Sequence, residues 1–347
     1  MSKSRQLWRS KIAALGTLSM CSALTHALPP IPDQSGWSGS VNLGVGAAQS
    51  ENNMVDGIAS FDLGEDPISS LQDSPGSEDL ILPAAQFQIA YTLADSGTQF
   101  YGGNNTAQHL GFDLNTLTES RIGIRQHFEE LGTMSVALVA STLATDVWKD
   151  PYITNQSRGD TEQTSSGLFV GWENIFESAF TVNFTSVEID LDDERSGEAL
   201  GLSREEQRSL RRTGQVNRLS ASYAWKINDH SRLTPSIGYL DFDLDGDAMA
   251  GDGGVVQLEY LYEMNRWSFV GTTYYQNLQS DDNNPIYNDE SDTDSIGATL
   301  TALYAKPFGL EKWTANATLA YHEQDSNIDF YDTSFALFSV GMLYRFD

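Results

Sequence analysis

Cysteine is almost missing: Cys21 is the single one in 347 residues. No disulfide framework or cysteine-ligated metal can be built from it. Long apolar runs are missing too. After the first 27 residues no stretch approaches the ~20 apolar residues of a membrane-spanning helix. If such a chain enters a membrane it does so as a closed β-barrel, because only a helix or a barrel satisfies its own backbone in lipid. Positive charge is scarce, with 20 Lys and Arg against 48 Asp and Glu and a formal net charge of -28. That argues against nucleic acid as a partner, whose phosphates need a basic footprint. The acidity fits a soluble exported protein as well as a barrel with charged loops, and the distribution of the charge separates the two.

The chain opens with a basic start (Lys3, Arg5, Arg9, Lys11), a short apolar stretch from Ile12 to about Leu24, and the small residue Ala27. This order predicts a secretory signal over 1–27, followed by a proline-rich segment over 28–36. The run is too short for an anchoring helix. Leu18-Ser19-Met20-Cys21 loosely matches a lipoprotein cleavage box, but Met20 stands where a small residue is expected.

From Trp37 onward the apolar residues repeat with period two, the signature of strands. Trp37, Val41, Leu43 and Val45 share one face of the first segment, with Ser38, Ser40, Asn42 and Gly44 on the other. The final segment carries Phe338, Val340, Met342, Tyr344 and Phe346 on one face, with Ser339, Gly341, Leu343 and Arg345 between them. Connections alternate between short turns (94–97, 129–132, 173–178, 228–231, 265–266, 306–312) and longer polar stretches (49–80, 103–109, 143–164, 190–214, 243–253, 279–292, 323–334). Hairpins tight at one end and open at the other are the plan of an outer-membrane barrel, with short periplasmic turns and long extracellular loops. The count is about fourteen strands in seven hairpins over 37–347. TQFYGG (98–103) is the least distinct strand, and without its hairpin the count is twelve. Acidic stretches such as SDDNNPIYNDESDTD read as solvated outer loops. The fourth outer loop differs. Ser203 and Glu206 have capping-box spacing, with arginines later and Gly214 after them, which predicts a short helix. Such a helix lies on the surface or folds back over the mouth.

Tryptophan placement favours the membrane. Trp37, Trp172, Trp225, Trp267 and Trp313 lie on apolar faces at the short-turn ends of strands, with Phe128, Phe180 and Phe346 at the same level. Only Trp148 of the later tryptophans falls in a long loop. Indole rings prefer the boundary between lipid and water. A second aromatic follows eight residues along the strand in Trp267/Tyr275, Trp313/Tyr321 and Phe338/Phe346. That is roughly 26 Å along a strand and about 20 Å of height at the usual tilt.

The leader, the seven hairpins and the closing YRF resemble those of a proteobacterial outer-membrane porin-like barrel. SGWSGSVNLGVG, YTLADSGTQFYGGN and LDFDLDGDAMAGDG resemble a family of exported gamma-proteobacterial proteins known only as a domain of unknown function. The resemblance covers most of the chain after the leader and implies no activity. It implies recognition of the last strand by the barrel insertion machinery through its C-terminal aromatic, here Phe346 followed by Asp347.

On the inner face the pattern places small polar residues: Ser220, Ser222, Thr272, Thr299, Thr301, Thr314, Asn316 and Thr318. These suit a wet lumen of intermediate width. Arg121, Arg125 and His127 share the inner face of the fourth strand, and Glu259 and Glu263 that of the tenth, nearly opposite. Opposed charges would set a transverse field that selects solutes. The alternative is local pairing with Glu173, Lys226, Arg232 or Arg345. Asp241, Asp243, Asp245, Asp247 and Asp252, with Gly246, have the spacing of a calcium loop. Their strand-like flanks, and Asp where Glu is usual at the last ligand, fit a solvated acidic loop instead. No spacing supports catalysis: of His109, His127, His230 and His322, only His109 and His322 sit near the outer mouth, where Glu323 and Ser339 would have to join them.

The expectation is therefore an all-β transmembrane barrel, without a cofactor, that passes small polar solutes passively. The alternative is a barrel plugged by loop 49–80 or by the proline-rich N-terminus. Its acidic loops would then meet cations, lipopolysaccharide or a partner at the outer-membrane surface.

Overall fold

The computed structural model describes residues 30–58, 61–104, 110–111 and 118–347. The leader 1–27 and His109 lie outside the described residues. Eighteen strands occur in chain order: β1 (Gly36–Glu51), β2 (Val55–Ile58), β3 (Phe61–Asp62), β4 (Ser77–Leu93), β5 (Thr98–Gly103), β6 (Glu119–Phe128), β7 (Gly132–Ser141), β8 (Thr145–Trp148), β9 (Asp160–Glu173), β10 (Phe180–Leu191), β11 (Gly214–Tyr223), β12 (Trp225–Asn228), β13 (Ser231–Leu244), β14 (Gly251–Met264), β15 (Trp267–Ser280), β16 (Thr293–Ala305), β17 (Trp313–Ser326) and β18 (Thr333–Phe346). β2, β3 and β8 belong to outer connections. β11 and β12 together form one wall strand, interrupted at Ala224. The wall thus has fourteen strands, and the antiparallel pairing of β1 with β18, from Gly39↔Phe346 to Glu51↔Ser334, closes it. TQFYGG is a wall strand, β5, so fourteen holds and not twelve.

Alternation along each strand sorts side chains by solvent. The outward face carries Leu43, Ile81, Ile122, Leu138, Leu219, Ile237, Leu300 and Phe338, all exposed. A water-soluble fold would not leave such a continuous apolar band bare, whereas lipid covers it. At the short-turn end the tryptophans stack across strands. Trp37 meets Tyr91 at 5.0 Å, Trp267 meets Tyr304 at 4.7 Å and Trp313 meets Tyr344 at 5.0 Å. Trp172 donates its indole N–H to the Leu131 carbonyl at 2.8 Å and packs on Phe176. These rings lie at the short-turn ends, where the sequence reading expects an interface belt. The turns below them are tight: Asn265 adopts φ 55°, the left-handed conformation that asparagine tolerates in a two-residue hairpin turn.

The outer loops do not all reach into water. Ile68, Tyr152, Leu210, Ala248, Phe330 and Tyr331, each from a different loop apart from the last two, pack into one buried cluster over the mouth. Ile286 and Tyr287 pack against it, and Asn284 beside them is fully buried. The acidic stretch 279–292 is therefore no simple solvated loop. It has too few apolar residues for a core of its own, but supplies them to a core shared by six loops. The predicted helix is present as α1 (Arg204–Ser209) with both capping-box bonds, Glu206 N–H to Ser203 Oγ at 3.3 Å and Ser203 N–H to Glu206 Oε2 at 2.7 Å. Leu202 and Leu210 bracket it and pin it to the dome.

Candidate functional site: the lumen and the plug in its mouth

The lower lumen carries hydrogen-bonded polar groups beside a small apolar cluster of Val270 and Leu303. Asn316 donates to Asn42 Oδ1 at 2.8 Å, and Asn42 donates to Gln86 Oε1 at 3.3 Å, linking β17, β1 and β4 across the inner face of β18. Gly341 lies beneath this bridge, where a Cβ would come within 2.9 Å of Asn316 Oδ1. Thr301 and Thr318 share a hydrogen bond of 2.9 Å. Farther round, Gln99 donates to Thr92 Oγ1 at 2.9 Å and accepts from Arg125 at 3.1 Å. Arg125 also binds Glu173 at 3.1 Å, with both side chains only 2% exposed. Two ions taken this far from water must be paired to persist.

The other inward charges lie around this girdle. The Arg121 guanidinium covers the Phe169 ring at 4.2 Å, and Arg121, Glu119 and Glu259 are all buried on the inner wall. Glu263 is exposed near the rim, its N–H bonded to the His230 carbonyl. Lys226 pairs with Asp229 at 2.7 Å. Two residues of the β5–β6 connection, Leu110 and Gly111, reach the inner wall. Gly111 N–H donates to Gln257 Oε1 at 3.2 Å, and Leu110 lies against Gly238 on the far wall.

Higher up, part of the inner wall is apolar, an exception to the largely small and polar lumen expected from sequence. Ala48, Leu82, Ala84, Phe335 and Leu337 alternate with lipid-facing residues and so point inward. Their cover is the β2–β3 hairpin, whose Ile58 and the following Leu63 are buried against them. The hairpin continues a small sheet through Val55↔Val147 and Ile58↔Thr145 onto β8, which pairs with β9. Asn52 shapes its base, accepting from Val55 N–H at 2.7 Å and donating to the Leu63 carbonyl at 2.9 Å. Part of loop 49–80 thus fills the mouth.

Arg158, between β8 and β9, fastens the hairpin at both ends. Its guanidinium donates to the carbonyls of Asn53 (2.9 Å) and Glu65, and lies 3.5 Å from the Asp66 carboxylate. It stacks on Trp148 at 4.0 Å, so this loop tryptophan serves the clamp. Above, the dome is tied by hydroxyls: Tyr152 and Tyr331 meet at 2.6 Å, and Asn284 donates to Tyr331 at 2.7 Å. Burial pushes the Tyr152 hydroxyl up to about 12.

The five aspartates of the calcium-like run extend along a hairpin and do not gather round a point. Asp241 and Asp243 lie on β13, Asp252 faces Asp241 from β14, and Asp245 and Asp247 follow in the turn. Asp241 accepts from Asn217 and Asp245 from Thr213. Among the described residues no three His, Cys, Asp or Glu side chains are grouped to hold a metal ion. Nor do His322, Glu323 and Ser339 converge. His322 Nδ1 lies 2.6 Å from the Tyr274 hydroxyl, while Ser339 sits opposite Thr318, four residues away and roughly 13 Å along the strand. Glu323 accepts from the Tyr321 hydroxyl instead.

Sequence reasoning missed Arg158, Ile58 and Leu63. The short run VDGIASFDL does carry Val55, Ile58, Phe61 and Leu63, an apolar signal inside a stretch read as polar. Arg158 carries no local signal at all.

Known structures with similar barrels include a Pseudomonas aeruginosa FadL homologue (13% identity, 96% of this chain and 97% of that one, TM-score 0.47). Others are the outer membrane channel DcaP of Acinetobacter baumannii (8%, 90% and 98%, 0.45) and OmpT of Vibrio cholerae (11%, 89% and 98%, 0.40). Likeness at this level says nothing of cargo. No curated protein matches the sequence. One family profile does match, over residues 36–345, and the chain belongs to that family, described as a protein of unknown function (DUF2860).

Proposed function

We propose that this protein is a gated outer-membrane channel, in which small solutes cross a polar girdle once the β2–β3 hairpin leaves the mouth. The observation that carries the reading is the seat of that hairpin. Ile58 and Leu63 occupy the barrel interior yet are fastened by one arginine and a three-strand edge, and not built into the wall. Below it the passage needs no cofactor and no covalent step. Selectivity would fall to the buried charges of the lumen. Arg121 and Glu259, buried on the inner wall, are the groups expected to set ion preference, with Glu263 at the rim.

The dome favours a second reading, a closed barrel whose acidic outer surface meets cations, lipopolysaccharide or a partner. Swelling of proteoliposomes in small sugars separates the two. With residues 52–72 replaced by a short Gly-Ser linker, swelling is expected to exceed that of the intact protein severalfold. No swelling from either form, once both are shown to be inserted, would favour the surface-binding reading.

A further inference from the structure

We propose that the plug hairpin is a pH-set latch, seated under acid conditions and released as pH rises, because the small sheet that holds it carries a carboxylate on every strand. The proposal rests on the gated-channel reading. The carboxylates come from every strand of the small sheet. Asp56 is on β2, Asp62 on β3, Asp146 on β8, and Asp160 and Glu162 on β9, with Asp66 just beyond the hairpin. The pairing brings them together. Gly57 stands opposite both Asp62 and Asp146, and Asp146 stands directly opposite Glu162. Like charges directly opposed in a sheet weaken it. Arg158 is the one cation that the described contacts bring to this cluster, and its guanidinium is engaged by Asp66 and by backbone carbonyls.

Asp56 is the centre of the arrangement. Its carbonyl accepts from both Leu63 N–H (2.7 Å) and Gly64 N–H (3.2 Å), so the turn that delivers Leu63 into the lumen hangs on this residue. Burial, then Asp160, Asp62, Asp146 and Asp66, raise its carboxyl to about 6, and burial with Asp160 and Glu162 raises Asp146 as well. The sign follows. A carboxyl raised in the seated state favours seating when protonated, so the benefit is complete below the ordinary value of 3.8 and is lost as pH rises through about 6. Between pH 5 and pH 7.5 such a shift weakens seating about tenfold. Solvent screening of a half-exposed group reduces this to a severalfold effect.

Because Cys21 is the only cysteine, Cys21→Ser clears the background for a reporter. Ile58→Cys, and Leu63→Cys as a second position, would be labelled with a charged, membrane-impermeant maleimide in proteoliposomes at pH 5 and pH 7.5. Rates would be normalised to Asp281→Cys, an exposed site that corrects for thiol ionisation. Normalised labelling is expected to rise severalfold at the higher pH, and Asp56→Asn is expected to flatten the response at the slow, seated rate. Equal normalised rates at both pH values would overturn the latch, as would a response that survives Asp56→Asn. Labelling does not require conduction, so a failed latch leaves the channel reading standing. Silent liposomes from the plug-deleted form would defeat the channel reading on separate grounds.

Discussion

Residue by residue, the lumen is held by buried polar groups paired across strands. Arg125 and Glu173 make the sharpest case. Arg125→Ala leaves a carboxylate 2% exposed without its ion partner, and is expected to cost about 3–5 kcal/mol. Replacing both residues with methionine or leucine is expected to cost far less, since the pair's attraction roughly balances its desolvation. The temperature at which the folded barrel converts to the slower gel band reads both. Part of this was legible beforehand. Period two alone assigned Arg125 to the inner face, and Glu173 was among the neighbours considered for local pairing. The stacking of Arg121 on Phe169 was not legible, because it reaches across β7 between the two strands that flank it, and no spacing encodes that.

At the scale of the element, local signals and shared ones fared differently. The helix α1 is specified by its own residues, and both bonds of its capping box form. Ser203→Ala removes one of them and is expected to destabilise this turn by about 1 kcal/mol. Cleavage by trypsin after Arg208 in the intact barrel should then speed up roughly fivefold, with no change in the wall. The clustering of Trp37, Trp267 and Trp313 with tyrosines at the short-turn ends was equally legible, because alternation places each ring within its own strand. The plug was not. Val55, Ile58, Phe61 and Leu63 are too few and too scattered for a strand pattern, and they are buried only because the inner wall and β8 receive them. The same holds for 279–292, where Ile286 and Tyr287 find a core made by other loops.

For the whole molecule, a closed wall alone does not make an open pore. The fourteen strands enclose a polar girdle, but above it lie the hairpin and a dome assembled from six loops. Fold class could be read from alternation, turn lengths and aromatic placement, since those are repeated in every hairpin. Whether the lumen is occupied could not, because occupancy is decided by long-range packing between loops of irregular sequence. The decisive experiment is single-channel recording in a planar bilayer of the intact protein beside the form lacking 52–72. Rare, brief openings are expected from the intact chain and long-lived steps from the deleted form, with ion preference altered by Arg121→Ala or Glu259→Ala. Equal silence from both inserted proteins, or equal and steady conduction, would rule out a channel gated by the hairpin.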